Sequence, residues 1–235
     1  MIKSEFHKFL YLFLLFSIGT TKCYPQKNYF YTSIKVPLGD LILYALSGEA
    51  EDNEYSKSDG ALFDFGYGVQ INDMLVIETG AEAYFFNSLT KRYNQRGNSM
   101  FDELDVINRA FAAQVRPVLR LDLNNNLFLR VSTAINYRQL YSSGKFYHNS
   151  GNSTLEDVGN MASATSKSNF YLSLQPLIGL DVRLDDSWIL GLDLTYIKVD
   201  WNNSLDRLKF KNQPNLVIPN HKTSNIFISG RIMFR

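Results

Sequence analysis

The sequence predicts an all-β fold, an eight-stranded antiparallel up-and-down transmembrane β-barrel, and three observations carry that expectation. An apolar leader opens the chain, segments of strictly alternating hydrophobicity follow it, and the connections between those segments are alternately short and long. Apolar side chains at a period of two, with arginines and amides on the opposite face, describe a strand with hydrocarbon on one side and a polar interior on the other.

In the leader, Lys3 and Lys8 border an almost unbroken apolar run over residues 9–19, which the more polar Thr20, Thr21 and Lys22 follow. This is the layout of a secretory signal peptide, with an apolar run too short to span a bilayer as a helix. The expected division is therefore a signal peptide over residues 1–23 and a barrel domain over 24–235. Cys23 is the one cysteine. The lysine before it does not fit a lipoprotein signal, so it is expected to leave with the leader, without disulfide or thiol chemistry remaining. Loss of Lys3, Lys8, Lys22 and Glu5 turns 24 basic and 23 acidic residues into 21 and 22. So even a balance gives no reason to expect nucleic acid as a partner. The 17 Phe and 14 Tyr suit strands and the interfacial girdles of membrane barrels.

Eight strands are expected in order. The first lies within residues 28–44, where Pro37, Gly39 and the run Leu41, Ile42, Leu43 confuse the alternation. The second, 61–71, sets Phe63, Phe65, Tyr67, Val69 and Ile71 against Asp64, Gly66, Gly68 and Gln70. The others are 75–86, 109–123, 127–141, 170–184, 188–201 and 224–235. Of these 127–141 alternates best, with Leu127, Leu129, Val131, Thr133, Ile135 and Tyr137 opposite Phe128, Arg130, Ser132, Ala134, Asn136 and Arg138. Asn72-Asp73, Asn124-Asn125-Asn126 and Asp185-Asp186-Ser187 read as tight turns, because Asn, Asp and Ser bond their own main chain there. Four longer polar stretches, 47–60, 87–108, 142–169 and 202–223, read as loops. Short periplasmic turns, long external loops and an even strand number leave both termini in the periplasm. Pro117 and Pro176 interrupt strands and are expected at bulges. The pattern Pro117, Asp122, Tyr137 recurs at a constant offset as Pro176, Asp181, Tyr196, as expected of two hairpins built alike.

Alternation also sorts the charges. Glu78, Glu82, Arg116, Arg120, Asp122, Arg130, Arg138, Asp181, Arg183, Asp193 and Arg231 all fall opposite the apolar face. An arginine facing lipid at the midplane costs about 2–4 kcal/mol, so these residues are expected to point inward. Pairing Leu75 with Leu123 would set Glu78 against Arg120 and Glu82 against Arg116, and pairing Leu127 with Leu184 would set Arg130 against Asp181. Asp193 would approach Arg231 across the last pair. An eight-stranded barrel is just wide enough to be filled by side chains, so the pairs are expected to form a lumenal charge network. Its reading is structural, with a narrow ion path or a gate as functional alternatives.

Catalytic signals are weak. Beyond the leader only His148 and His221 remain, both in long loops, and no zinc-ligand spacing, phosphate loop or nucleophile elbow occurs. No cofactor, metal or catalytic residue is expected. Glu49, Glu51, Asp52 and Glu54 make the first loop acidic, which fits a solvated loop better than a cation site. Loop 202–223 is unusual in carrying Leu205, Leu208, Phe210, Leu216, Val217 and Ile218. It either folds back over the barrel mouth or meets a partner.

Gln114-Val115-Arg116-Pro117-Val118-Leu119, its echo Gln175-Pro176-Leu177 and the closing Ile226 to Phe234 resemble the strands of small Gram-negative outer-membrane barrels of the PorT-like and OmpX-like families. The PorT-like resemblance implies an accessory of protein secretion within a larger complex. The OmpX-like one implies a stand-alone surface protein. The expected partners are outer-membrane lipid, the barrel-assembly machinery and envelope or secretion-complex proteins. A small diffusion channel and a lipid-modifying outer-membrane enzyme remain the alternatives.

Overall fold

The computed structural model describes residues 28–39, 55–96, 100–149, 158–211 and 216–235. The leader and the acidic residues of the first loop lie outside them, as does the side chain of His148. The strands are β1 (Tyr29–Pro37), β2 (Tyr55–Ser58), β3 (Ala61–Gln70), β4 (Leu75–Arg96), β5 (Met100–Asp122), β6 (Leu127–Asn149), β7 (Val158–Lys167), β8 (Tyr171–Arg183), β9 (Trp188–Asp200) and β10 (Lys222–Phe234), with one helical turn, α1 (Asn202–Leu205), before β10.

Eight of these strands close a ring. Neighbours β3, β4, β5, β6, β8, β9 and β10 follow β1 in order, every pair antiparallel, and β10 returns to β1 through pairs from Phe30↔Phe234 to Pro37↔Phe227. A sheet without an edge satisfies its own backbone groups, the condition for crossing hydrocarbon with strands. The two short strands widen one end: β2 pairs with the far part of β4, and β7 with the far part of β6.

Three turns of one design close the other end. Asn72 Oδ1 accepts the amides of Met74 and Leu75 at 2.9 and 2.8 Å, Asn124 Oδ1 those of Asn126 and Leu127 at 2.9 Å each, and Asp185 Oδ1 those of Ser187 and Trp188 at 2.7 and 2.8 Å. Each carboxyl or amide side chain stands in for a backbone acceptor, so the two flanking strands leave in fixed register. Both the start of β1 and the end of β10 lie at this end.

Outside, the wall is an apolar band between two aromatic belts. Phe30 with Tyr67 and Trp188 with Phe234 lie towards the tight turns. Phe63, Phe85, Phe111 and Tyr141 make successive edge contacts on the other side, and Tyr137 stacks on Phe170 at 4.7 Å. Between them Ile34, Phe65, Leu119, Val131, Leu180, Leu192 and Ile232 stand exposed. Such a surface belongs against lipid.

Beyond the upper belt two of the expected loops are strands instead. Residues 87–96 and 100–108 continue β4 and β5 as one long hairpin, and β6 runs on to Asn149 beside β7. The outward faces there are polar, with Thr90 bonded to Asp105 at 2.7 Å and Arg92 paired with Glu103 at 3.0 Å. Outside hydrocarbon a strand needs no apolar outer face, so the apolar-out pattern ends and Leu89, Leu104, Val106 and Phe146 face inward while backbone pairing continues. A bulge marks the change: Phe85 and Phe86 both turn outward, Phe86 in left-handed conformation at φ 63°, and both Tyr84 and Asn87 face inward.

Neither proline sits at a bulge. Pro117 leaves a gap in the β5–β6 ladder between Val115↔Ile135 and Val118↔Ser132 without a shift of register, and Ser132 Oγ donates to the Pro117 carbonyl at 2.8 Å. Pro176 pairs with Thr133 on β6, but pairing between β8 and β9 begins only at Leu177. The missing N–H is thus met by interrupting a ladder.

Inward glycines give the interior its room. A Cβ on Gly68 would lie 2.5 Å from the Tyr29 ring, and one on Gly179 would lie 2.0 Å from Asp193 Oδ1. Overpacking of this kind costs about 1–3 kcal/mol. Gly68→Ala is therefore expected to lower the midpoint of urea unfolding in lipid bilayers by that amount, whereas Ala81→Gly, on the lipid face of β4, should change it by less.

Candidate functional site

The interior holds a continuous ionic lattice. Lys35 reaches Asp64 at 2.8 Å and Glu82 at 3.0 Å, and Arg138 also pairs with Glu82. Arg116 joins Asp64 at 2.9 Å to Glu78 at 3.1 Å. Glu78 receives Arg231 as well, takes the Tyr29 hydroxyl at 2.5 Å and lies 3.9 Å from Arg130. Arg130 in turn holds Asp181 at 2.9 Å and Asp193. Five cations face five carboxylates, all buried, and every one of the eight wall strands contributes at least one. Tyr31, under the Arg231 guanidinium at 4.1 Å, and Gln114, which donates to the Tyr31 hydroxyl at 3.1 Å, fill the spaces between.

Three of the four expected pairings differ. Leu75 lies opposite Leu119 rather than Leu123, so Glu78 faces Arg116, and Glu82 faces Ala112 and turns to Lys35 and Arg138. Arg120 is carried away from Glu78 to the tight-turn end, where it lies 3.6 Å over the Phe128 ring. The Arg130–Asp181 pair is present although Leu127 lies opposite Val182, and Asp193 meets Arg130 while Arg231 goes to Glu78. A register slip of two or four residues keeps each side chain on its face and changes only its partner. Lys35 and Asp64 complete the lattice. The polar face of β3 already marked Asp64, but the apolar crowding after β1 hid the alternation that places Lys35 inside.

Above the lattice an apolar cork closes the long-loop end. Trp201, Leu205, Leu208 and Phe210 pack with Leu62, Tyr84, Leu89, Leu104, Leu140, Phe146 and Phe227, and Tyr93 donates to the Val217 carbonyl at 2.6 Å. Loop 202–223 thus folds back into the mouth. Its helical turn is tied down by Ser204, whose Oγ lies 2.7 Å from Ser142 Oγ. His221 is 1 % exposed, stacked on Trp201, with Nε2 2.8 Å from Asn87 Oδ1. Burial holds its pKa down to about 4. Among the described residues no group of His, Cys, Asp and Glu is arranged to hold a metal ion.

A closed wall, an apolar outer band and a charge-balanced, corked interior define a membrane-spanning β-barrel of the outer-membrane type with a filled lumen. No protein-family model matches the chain, and no curated protein matches it. Among solved structures it is similar to Ail, the attachment invasion locus protein of Yersinia pestis, at 12 % identity over 89 % of this chain and 97 % of that one, TM-score 0.33. It is also similar to Acinetobacter baumannii CarO2, at 10 % identity over 87 % and 97 %, TM-score 0.31, and to the outer membrane protein AlkL in lipid bilayers, at 13 % over 91 % and 89 %, TM-score 0.33. At such scores the likeness supports no inference about this chain. Its class rests on the closure of its own sheet.

Two expected outcomes follow from the lattice and the cork. Glu82→Gln, which strands the buried Arg138, should lower stability by about 3–5 kcal/mol, and Arg138→Met should lower it by less, because Glu82 keeps Lys35 at 3.0 Å. The double variant should lose clearly less than the sum in urea titrations, because the pair is coupled. For His221 the unfolded chain binds the proton more tightly, so the contribution of the neutral ring is complete above the ordinary value of about 6.5 and is lost as pH falls towards 4. Trp201 emission in a Trp188→Phe background is expected to shift to the red over that window, and His221→Gln should remove most of the shift.

Proposed function

We propose that this protein is a non-enzymatic integral outer-membrane barrel whose long-loop end is a contact surface for other proteins of the envelope. The observation that carries this reading is the extension of β4, β5, β6 and β7 past the aromatic belt. A strand crosses the membrane in about 9–11 residues, and β5 and β6 have 23 each. At about 3.3 Å per residue the surplus rises tens of ångströms beyond the lipid. It is stiffened by polar ties, the Tyr147 hydroxyl lying between the Glu103 and Asp105 carboxylates, 2.7 Å from the latter, and sharing its one proton with them. A paired sheet in that position presents a fixed surface at a low ordering cost.

The filled lumen speaks against a diffusion channel, since the lattice and cork occupy the path. His221, buried and bonded inside the cork, is poorly placed to act as a base. The tight turns and both strand termini then face the periplasm, in line with other barrels of this type. Of the two resemblances, the PorT-like one, with a role in a secretion or envelope assembly, agrees better with a rigid projecting sheet than with mobile loops.

Detergent extraction of the native membrane followed by native electrophoresis tests this reading, each band being run in SDS unheated and heated. A heat-modifiable barrel held in a large assembly, and released from it by charge reversal of the exposed Lys145 with Arg92 on the projecting face, is the expected result. Discrete conductance steps from the wild-type barrel in a planar bilayer would overturn the occluded-lumen part, and migration alone would overturn the assembly.

A further inference from the structure

Four of the interior arginines are matched by carboxylates. At the tight-turn mouth three others are not. Arg120, Arg183 and Arg235 line a cavity of about 220 Å³ together with Phe128, Gln70, Asp73 and Asp122. Arg120 is only 7 % exposed, yet its Nε and Nη2 are buried without a hydrogen-bond partner, as are Nε of Arg183 and Nε and Nη1 of Arg235. Asp73 and Asp122 are exposed at the rim, and neither lies within ion-pair distance of these guanidiniums among the described residues.

The arrangement has a recognisable chemistry. Arg120 and Arg183 both stack on the Phe128 ring, at 3.6 and 4.8 Å from its centre. Stacking fixes the planes of two guanidiniums and leaves their N–H edges free, which is the geometry that takes an oxyanion through paired charge-assisted bonds. Three like charges crowded in a half-enclosed space cost free energy unless an anion joins them. Elsewhere in this lumen the same problem is met with a carboxylate from a neighbouring strand. Here the lining carboxylates, Asp73 and Asp122, stay at the exposed rim outside ion-pair distance, and the space opens to water.

We propose that Arg120, Arg183 and Arg235 form a binding site for a phosphate group at the tight-turn mouth of the barrel. The cavity, of about 220 Å³ and open to water, takes the group with space to spare for part of what carries it. Its source is a soluble phosphate compound or the headgroup of an anionic phospholipid at the adjacent rim, and both present the same oxygens to the same N–H edges. The site is independent of the contact surface at the opposite end.

The test uses the full barrel in nanodiscs of phosphatidylcholine, titrated calorimetrically with inorganic pyrophosphate at constant ionic strength. A second arm compares thermal unfolding in phosphatidylcholine nanodiscs with that in nanodiscs containing phosphatidylglycerol. Saturable pyrophosphate binding, weakened about tenfold or more by Arg120→Gln or by Arg183→Gln as the loss of one charge-assisted pair requires, supports the site with a soluble source. Arginine-dependent stabilisation by phosphatidylglycerol alone supports it with a lipid source. Arg183 and Arg235 lie at the rim, so Arg183→Gln and Arg235→Gln keep the test open should Arg120→Gln fail to fold. Absence of saturation and of stabilisation in both arms overturns the proposal, and so does a response that all three variants leave unchanged.

Discussion

Glu78 is the contact on which this barrel is organised. One buried carboxylate receives Arg116 from β5 and Arg231 from β10, faces Arg130 from β6 and takes the Tyr29 hydroxyl from β1. Four strands are thereby bound to a fifth through a single group. The remaining ions extend the same arrangement to the whole ring, so that removing any one cation takes an ion-pair partner from an acid on another strand, and removing Arg130 leaves Asp181 and Asp193 without a cation. Such a lattice adds less net stability than its number of bonds implies, because each ion has given up its water. What it does add is a penalty on every wrong register.

That requirement explains features of the wall that would otherwise look accidental. Gly179 and Gly191 lie where Asp193 and Asp181 need space, and Gly68 lies beneath the Tyr29 ring. The interruptions at Pro117 and Pro176 fall on the lipid-facing side of strands whose inward neighbours, Arg116 and Gln175, are bonded to Glu78 and Glu82. Side-chain bonds across the lumen hold the wall together where the backbone ladder does not.

The lumen is graded along its axis. Unmatched arginines lie at the tight-turn mouth, balanced ions in the middle and apolar side chains under the projecting sheet. The gradient separates a water-facing, positively charged end from an end shut by Trp201, Leu208 and Phe210.

Much of this was legible in the residues. Period-two alternation marked the wall strands after β1 and the inward face of every ion named from it, because burial against lipid on one side leaves polar side chains only the other. The three Asx turns were legible because their bonds are local. The partners were not: alternation is unchanged by an even slip, and the β4–β5 and β6–β8 connections are too long for a turn to fix the register, so Glu78 could be assigned Arg116 only in three dimensions. Lys35 was hidden by apolar neighbours beyond β1, and the extension of β4 to β7 by the end of the apolar outer face above the membrane. The sequence by itself determined which residues face lipid and which face the lumen, since that depends on each strand alone. Tertiary structure decided which charge meets which, why Arg120 is left over and where loop 202–223 goes, since those depend on how strands far apart in the chain are set against one another.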